Sequence, residues 1–299
     1  MPNRLIIPVV AATMAATIGL GFTGSAFAAS GNDDPPITIG WTAWADAEFV
    51  TKLAQQLIET RTDHEVALQM AAIGIQYQGV ANGDLDAMMM AWLPDSQADY
   101  WQRFKDQVDD LGTIYDGARL GWVVPDYIPQ DQLASISDLH KAEIREKLDG
   151  RIQGIDPGAG IMQLSKKTLD AYDLNDGYQV ISASGAAMTA ALKRALEERQ
   201  WIVVTGWSPH WMLGKWNLRF LEDPKNTLGK PQHINVLAHR GFADDYPQVA
   251  AMLEKMVIPL EELQKAMYDA QDTSTQAAVK RYIANHAERV DGWFGAEAP

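Results

Sequence analysis

The chain contains no cysteine, which excludes disulfide staples and a lipid-carrying amino-terminal cysteine. Basic residues are scarce beside acids, 25 Lys and Arg against 39 Asp and Glu, giving a formal net charge of −14. Phosphate backbones and anionic lipid surfaces require basic patches, so neither nucleic acid nor anionic membrane is expected as a partner. The acidic excess itself reads as a solvated surface that identifies no partner. His64, His140, His233, His239 and His286 follow no HExxH or other metal-ligand spacing, and no metal or other cofactor is expected. Beyond the first 28 residues no apolar run approaches the roughly 20 residues needed to span a bilayer.

The amino terminus carries the one long apolar stretch. MPNR is a short basic start, LIIPVVAATMAATIGLGF is apolar, and Ala26-Phe27-Ala28 is a small-x-small cleavage signature. Together they read as a cleavable secretory signal peptide over residues 1–28. Pro8 and the interspersed threonines and glycines argue against a retained anchor. The segment from 29 to 36 is small, polar and proline-rich, a flexible lead into the folded part. Removing 1–28 takes one arginine and no acid, so the remaining charge is 24 − 39 = −15. A soluble protein of the periplasm is the expected product. The 271 residues left (299 − 28) can bury a large core and commonly divide into two lobes.

From Ile37 short β-type runs alternate with amphipathic helical windows, the pattern of α/β lobes with largely parallel sheets. Strands are expected at 37–41, 65–70, 86–93, 151–155, 178–183 and 201–207, with further strands in LRFLED and HINVLAHR. Helices are expected at 45–60, 74–83, 95–108, 137–147, 160–172 and 186–199, and in several pieces from 246 to 290. Around 120–129 two prolines suggest a crossover. The expected organisation is one lobe from 37–120, a second from 121–225, and a return to the first over 226–299, with ligand between them.

Ten tryptophans are many for this length. Trp44, Trp92 and Trp207 stand at or just beyond the carboxyl ends of expected strands, where open α/β sheets bind ligands. Each is followed by residues that turn the chain. In AWLPDSQADYWQ (91–102), Pro94 is expected to end a strand, Asp95 or Ser96 to cap the next helix, and Trp101 to pack that helix. Several indoles around one space suit a cation without hydrogen-bond donors, because the ring faces attract charge while their apolar surface packs methyl groups. A stacked sugar is the competing guest. Trp41, Trp211 and Trp216 are secondary candidates for platforms or core.

GIDPGAGIMQLSKK (154–167) gives a strand end, a glycine-rich turn and a helix start, whose free N–H groups suit a small anion. It matches neither nucleotide-loop pattern. GWSPH (206–210) lacks the second glycine of a GxSxG nucleophile elbow, so Ser208 and His210 make a poor hydrolase pair; His210 reads first as structural and, with Trp41, is a secondary candidate site residue. Asp109 with Asp110 and Asp244 with Asp245 read as solvated loop or capping acids. No nucleophile, base and orienter assemble, and no catalytic residues are expected.

IGWTAWADAEFVT, YQGVANGDLDAMMMAWLPDSQADYW, GIDPGAGIM and VTGWSPHWMLGKWNLRFLEDPK resemble, in order over nearly the whole chain after residue 36, the glycine betaine-binding proteins of osmoprotectant ABC importers. The resemblance implies a two-lobe, type II periplasmic-binding-protein fold that closes on a zwitterionic solute and delivers it to an inner-membrane ABC permease, as a monomer and without catalysis. It implies a cage of Trp44, Trp92 and Trp207 around a trimethylammonium group, with Trp41 as an alternative first wall. It also implies that the ligand carboxylate meets the N–H groups of Gly160 and Ile161. Many members carry histidine where this chain has Gln97, whose neutral amide can still donate. Glycine betaine is the expected solute, with proline betaine, choline, carnitine or dimethylsulfoniopropionate as alternatives.

Overall fold

The computed structural model describes residues 35–295. The expected signal peptide and the lead up to residue 34 lie outside the described residues.

The first α/β run comprises β1 (Ile37–Trp41), α1 (Ala45–Arg61), β2 (Val66–Met70), α2 (Ile73–Asn82), β3 (Ala87–Leu93) and α3 (Ala98–Phe104). In α1 the buried residues Phe49, Val50, Leu53, Ala54, Leu57 and Ile58 recur at helical spacing and form one face against the sheet. Burial of each large apolar side chain there stabilises by roughly 1.5–3 kcal/mol, so Leu53→Asp would break the contact. β3 is buried at all seven positions, because it lies inside the sheet between β1 and β9 and α1, α2 and α3 pack against it. A strand covered on both faces needs no polar alternation, hence AMMMAWL.

β4 (Val108–Pro125) then leads to a 3₁₀ turn (Ile136–His140), α4 (Ala142–Leu148), β5 (Arg151–Gln153), α5 (Gly160–Ala171), β6 (Gln179–Ile181), α6 (Gly185–Glu198), β7 (Val204–Ser208), α7 (Trp211–Lys215) and β8 (Leu218–Phe220). The chain continues through β9 (Gln232–His239), α8 (Phe242–Asp245), α9 (Pro247–Lys255), α10 (Leu260–Ala270), α11 (Thr275–Asn285) and α12 (Ala287–Trp293).

The strands run in the order β2-β1-β3-β9-β4-β7-β5-β6, with β8 paired to β4 outside that path. β4 joins the two halves of the sheet. Val108 to Ala118 pair with β9, Arg119 to Val123 with β7, and Val123 to Pro125 with β8. The sheet is mixed rather than largely parallel. β1 with β2 and β3, and β5 with β6 and β7, are parallel, whereas every pairing of β4 and β9 is antiparallel. A strand that returns from the second half to the first must run backwards, and β9 does so.

Two helix expectations need correction. The helix expected over 95–108 is only α3, because residues 94–97 form a turn and Val108 already belongs to β4. The helix expected at 137–147 is a 3₁₀ turn followed by α4, interrupted at Lys141. Among the described residues no helix is long and apolar enough to cross a membrane.

Candidate functional site

The parallel pairs β1 with β3 and β5 with β7, which run in opposite senses, point their carboxyl ends at one region, and the loops that follow line a small cavity. Its walls are Trp44, Trp92, Ser96, Gln97, Leu120, Ile155, Ala159, Gly160, Ile161 and Trp207. Every wall residue is neutral, and three are indoles.

Each indole is placed by its own segment. Trp44 stands at the N-cap of α1, where its carbonyl accepts from Glu48 N–H, and its indole N–H donates to Asp156 Oδ2 at 3.0 Å. Trp92 lies inside β3, in register with Ile234 of β9. Trp207 lies inside β7 in register with Leu120, and its indole N–H donates to Asp46 Oδ1 at 2.9 Å. Both Trp92 and Trp207 precede a cis X-Pro bond by one residue, Leu93-Pro94 and Ser208-Pro209. All three indoles are buried.

Asp46 is fully buried in the first turn of α1. Its carboxylate accepts from Tyr115 Oη at 2.7 Å as well as from Trp207. Burial pushes its pKa up to about 6, against the lowering effect of those two donors. Tyr115, equally buried beside this acid, has its own hydroxyl held well above the ordinary range, by burial first and then by Asp46.

Across the cavity, β5 passes into the turn Asp156-Pro157-Gly158-Ala159, closed by Ala159 N–H donating to Asp156 O at 2.9 Å. Gly160 and Ile161 open α5, and among the described residues neither amide N–H has an acceptor. Such groups are the orphan donors of a helix start. A Cβ built on Gly160 would lie 2.1 Å from both the carbonyl oxygen and Oγ of Ser96. Only glycine permits this approach between the turn after β3 and the start of α5.

Gln97 is 1% exposed. Its Oε1 accepts from Trp92 N–H at 3.2 Å and from Tyr77 Oη at 3.0 Å, and among the described residues its Nε2 has no acceptor. The expected cap at Asp95 or Ser96 is corrected. Gln97 occupies the N-cap of α3 and makes no side-chain cap bond. Asp95 Oδ2 instead accepts from Lys230 N–H at 3.1 Å, and Ser96 is drawn to the cavity wall with its N–H donating to Gln232 Oε1 at 3.0 Å. Both residues are committed to tertiary partners.

The structure thus brings Trp44, Trp92, Trp207, Gly160, Ile161 and Gln97 to one cavity. Trp41 lies outside it, half-buried with the Lys52 ammonium 5.9 Å from its ring centroid. Trp211 and Trp216 pack edge to face on each other, centroids 5.2 Å apart, also away from the cavity. Trp101 is partly buried against the core. His210 stands behind Trp207, edge to face at 4.5 Å. Its Nδ1 accepts from Met212 N–H at 3.0 Å, capping α7, and burial lowers its pKa to about 3. It is a neutral brace with no hydrogen bond to Ser208.

The sequence reading missed Ser96, Leu120, Ile155 and Ala159 as wall residues, and Asp46, Asp156 and Tyr77 behind the wall. Asp46 gave little signal, because acids in a first helical turn are ordinary partners of the helix dipole. Ser96 and Ala159 sit beside predicted site residues, and that adjacency was the available clue.

The family described as the substrate binding domain of ABC-type glycine betaine transport systems matches residues 35–285. The glycine betaine/carnitine transport binding protein GbuC of Listeria monocytogenes is 36% identical over 155 residues, which cover 51% of this chain and 52% of that protein. The match therefore spans about half the length of that relative. The crystal structure of lactococcal OpuAC, closed and complexed with glycine betaine, is 34% identical with a TM-score of 0.80, covering 87% of this chain and all of that one. The glycine betaine/L-proline-binding protein ProX of Borrelia burgdorferi shares the fold at 24% identity and a TM-score of 0.80, covering 87% of this chain and 96% of that one. The fold is that of the type II periplasmic binding proteins. With the match to the family extending from residue 35 to residue 285, this chain belongs to the substrate-binding domains of ABC-type glycine betaine transport systems.

Proposed function

We propose that this protein captures a methylated zwitterion, glycine betaine first among them, and presents it to an inner-membrane ABC permease. The observation that carries this reading is the meeting of three buried indoles with two unpaired helix-start N–H groups on one small, uncharged cavity. Indole faces attract a quaternary ammonium by roughly 0.5–2 kcal/mol each. The N–H groups of Gly160 and Ile161, at the positive end of α5, take the carboxylate. The lactococcal relative holds glycine betaine in its closed form, and the name of the Listeria relative adds carnitine.

The working form is a periplasmic monomer released from residues 1–28. Its lobes, 37–120 with 226–299 and 121–225 between, close by bending near the point where β4 changes partners, between Ala118 and Arg119. The protein binds and does not catalyse. His210, the candidate base two residues from Ser208 in the sequence, is engaged as a cap.

Titration by tryptophan fluorescence against glycine betaine, proline betaine, choline, carnitine, dimethylsulfoniopropionate and neutral sugars tests the proposal. Glycine betaine is expected to bind in the micromolar range, about −8 kcal/mol, and sugars to give no response. Silence towards every methylated solute would overturn it. Carnitine or choline binding more tightly than glycine betaine would keep the cage and change the solute.

A further inference from the structure

The polar end of the cavity has a feature that the cage does not explain. Gln97 is an amide with two different ends, and its environment decides which end meets the ligand. Trp92 N–H is a backbone donor and requires an oxygen opposite it, so the atom 3.2 Å away is Oε1. Tyr77 Oη, 3.0 Å from the same oxygen, donates a second hydrogen bond. With Oε1 twice engaged, Nε2 is the end left to the cavity that Gln97 lines.

Tyr77 cannot easily move aside. It comes from α2, is fully buried, and stacks on Tyr100 of α3 at 5.4 Å and 18° and on Phe104 at 6.2 Å and 25°. Tyr100 in turn donates through Oη to Gly158 O at 3.2 Å, in the turn that precedes Gly160. The array connects the orientation of one amide to the loop carrying the helix-start donors.

We propose that Tyr77 is a positioning residue that holds Gln97 with its N–H groups facing the ligand, so that the site selects solutes ending in a carboxylate over equally methylated cations ending in a hydroxyl. The proposal rests on the binding reading above. The wall offers donors at Gly160, Ile161 and Gln97 and no ionised acceptor. An anionic acceptor satisfies several donors at once, and charge-assisted bonds are roughly twice as strong as neutral ones. A hydroxyl satisfies fewer and leaves buried donors unpaired.

Calorimetric titration of the purified protein with glycine betaine and with choline, at pH 8, tests this in wild type, Tyr77→Phe and Gln97→Glu. Wild type is expected to prefer glycine betaine at least tenfold. In Gln97→Glu one carboxylate oxygen keeps the Tyr77 and Trp92 donors while the other brings negative charge into the cavity. Glycine betaine should weaken at least a hundredfold, choline should not, and the preference should invert. In Tyr77→Phe glycine betaine should weaken three- to tenfold and choline less than twofold. Should Tyr77→Phe fold poorly, the Gln97→Glu ratio decides alone. Equal losses for both solutes in the two variants, with wild type binding glycine betaine normally, would overturn the inference and leave the binding reading intact. Wild type binding neither solute would overturn both.

Discussion

The indole N–H of Trp207 donates to Asp46 Oδ1 across 2.9 Å, joining residues 161 positions apart in the chain. A carboxylate buried in the first turn of α1 thereby holds a cavity wall supplied by β7, and Tyr115 of β4 shares the same acid. Asp46 titrates near pH 6 because burial outweighs both donors. Its folded pKa lies above its ordinary 3.8, so between those values the folded state keeps a proton that the unfolded chain releases. Stability from this group is full below pH 4 and declines as pH rises to 6, by on the order of 3 kcal/mol. The Tm of Asp46→Asn minus that of wild type should rise through this window and level off above it. A difference that is flat from pH 4 to 7 would refute the assignment.

His210 has the opposite linkage. Its folded pKa of about 3 lies below its ordinary 6.5, so its contribution is complete above pH 6.5 and is lost as pH falls towards 3. Each pH unit inside the window is worth about 1.4 kcal/mol. His210→Asn, which keeps an acceptor for Met212 N–H, should lose less stability than wild type between pH 6.5 and 4.5. Denaturant melts at both pH values measure this. Parallel losses in the two proteins would rule out a buried neutral histidine.

Gly160 tests the approach of the two halves of the site. A methyl group there would meet Ser96 O and Oγ at 2.1 Å, and the carbonyl is backbone that cannot rotate away. Gly160→Ala should cut affinity for glycine betaine at least a hundredfold and abolish the ligand-induced rise in Tm, with the unliganded Tm changed by only a few degrees. Affinity within threefold of wild type would show that the approach is not needed for binding.

The indoles can be ranked. Trp44→Ala, Trp92→Ala and Trp207→Ala should each weaken binding at least tenfold, about 1.4 kcal/mol, because all three face the cavity. Trp41→Phe should change affinity less than threefold, since Trp41 lies outside the cavity beside Lys52. Calorimetry on the four variants gives the order, and a tenfold loss at Trp41 would reverse the choice of first wall.

Much of the fold was legible because its signals are local. IGW, AMMMAW and VVTGW announce buried strands, and α1 announces itself by helical spacing. β4 was not legible. Gly112 and Gly117 have positive φ, and register shifts against β9 between Asp110 and Ala118 break the alternation that identifies a strand. Asp109 and Asp110, read as solvated loop or capping acids, lie in β4, where Asp110 stays exposed and accepts two bonds from Asn235 Nδ2 and Asp109 accepts from Gly241 N–H.

The wall was legible in part for the same reason. Trp44, Trp92, Trp207, Gly160 and Ile161 each lie at a strand end or helix start that local pattern marks, whereas Gln97 was marked only by the family resemblance, in which many members carry histidine at that place. What set those elements in one place was the long β4, pairing with β9 on one stretch and β7 on the next. Asp95, expected to cap a helix, went instead to Lys230, and Asp46, an ordinary first-turn acid by position, became the buried anchor of Trp207. The sequence by itself marked most strands and helices and the residues at their ends, though not β4, because periodicity and turn chemistry act over a few residues. Only the tertiary structure decided which side chains share the cavity, which carboxylate holds which indole and which end of Gln97 faces inward, because those depend on donors and acceptors that meet only when distant segments pack.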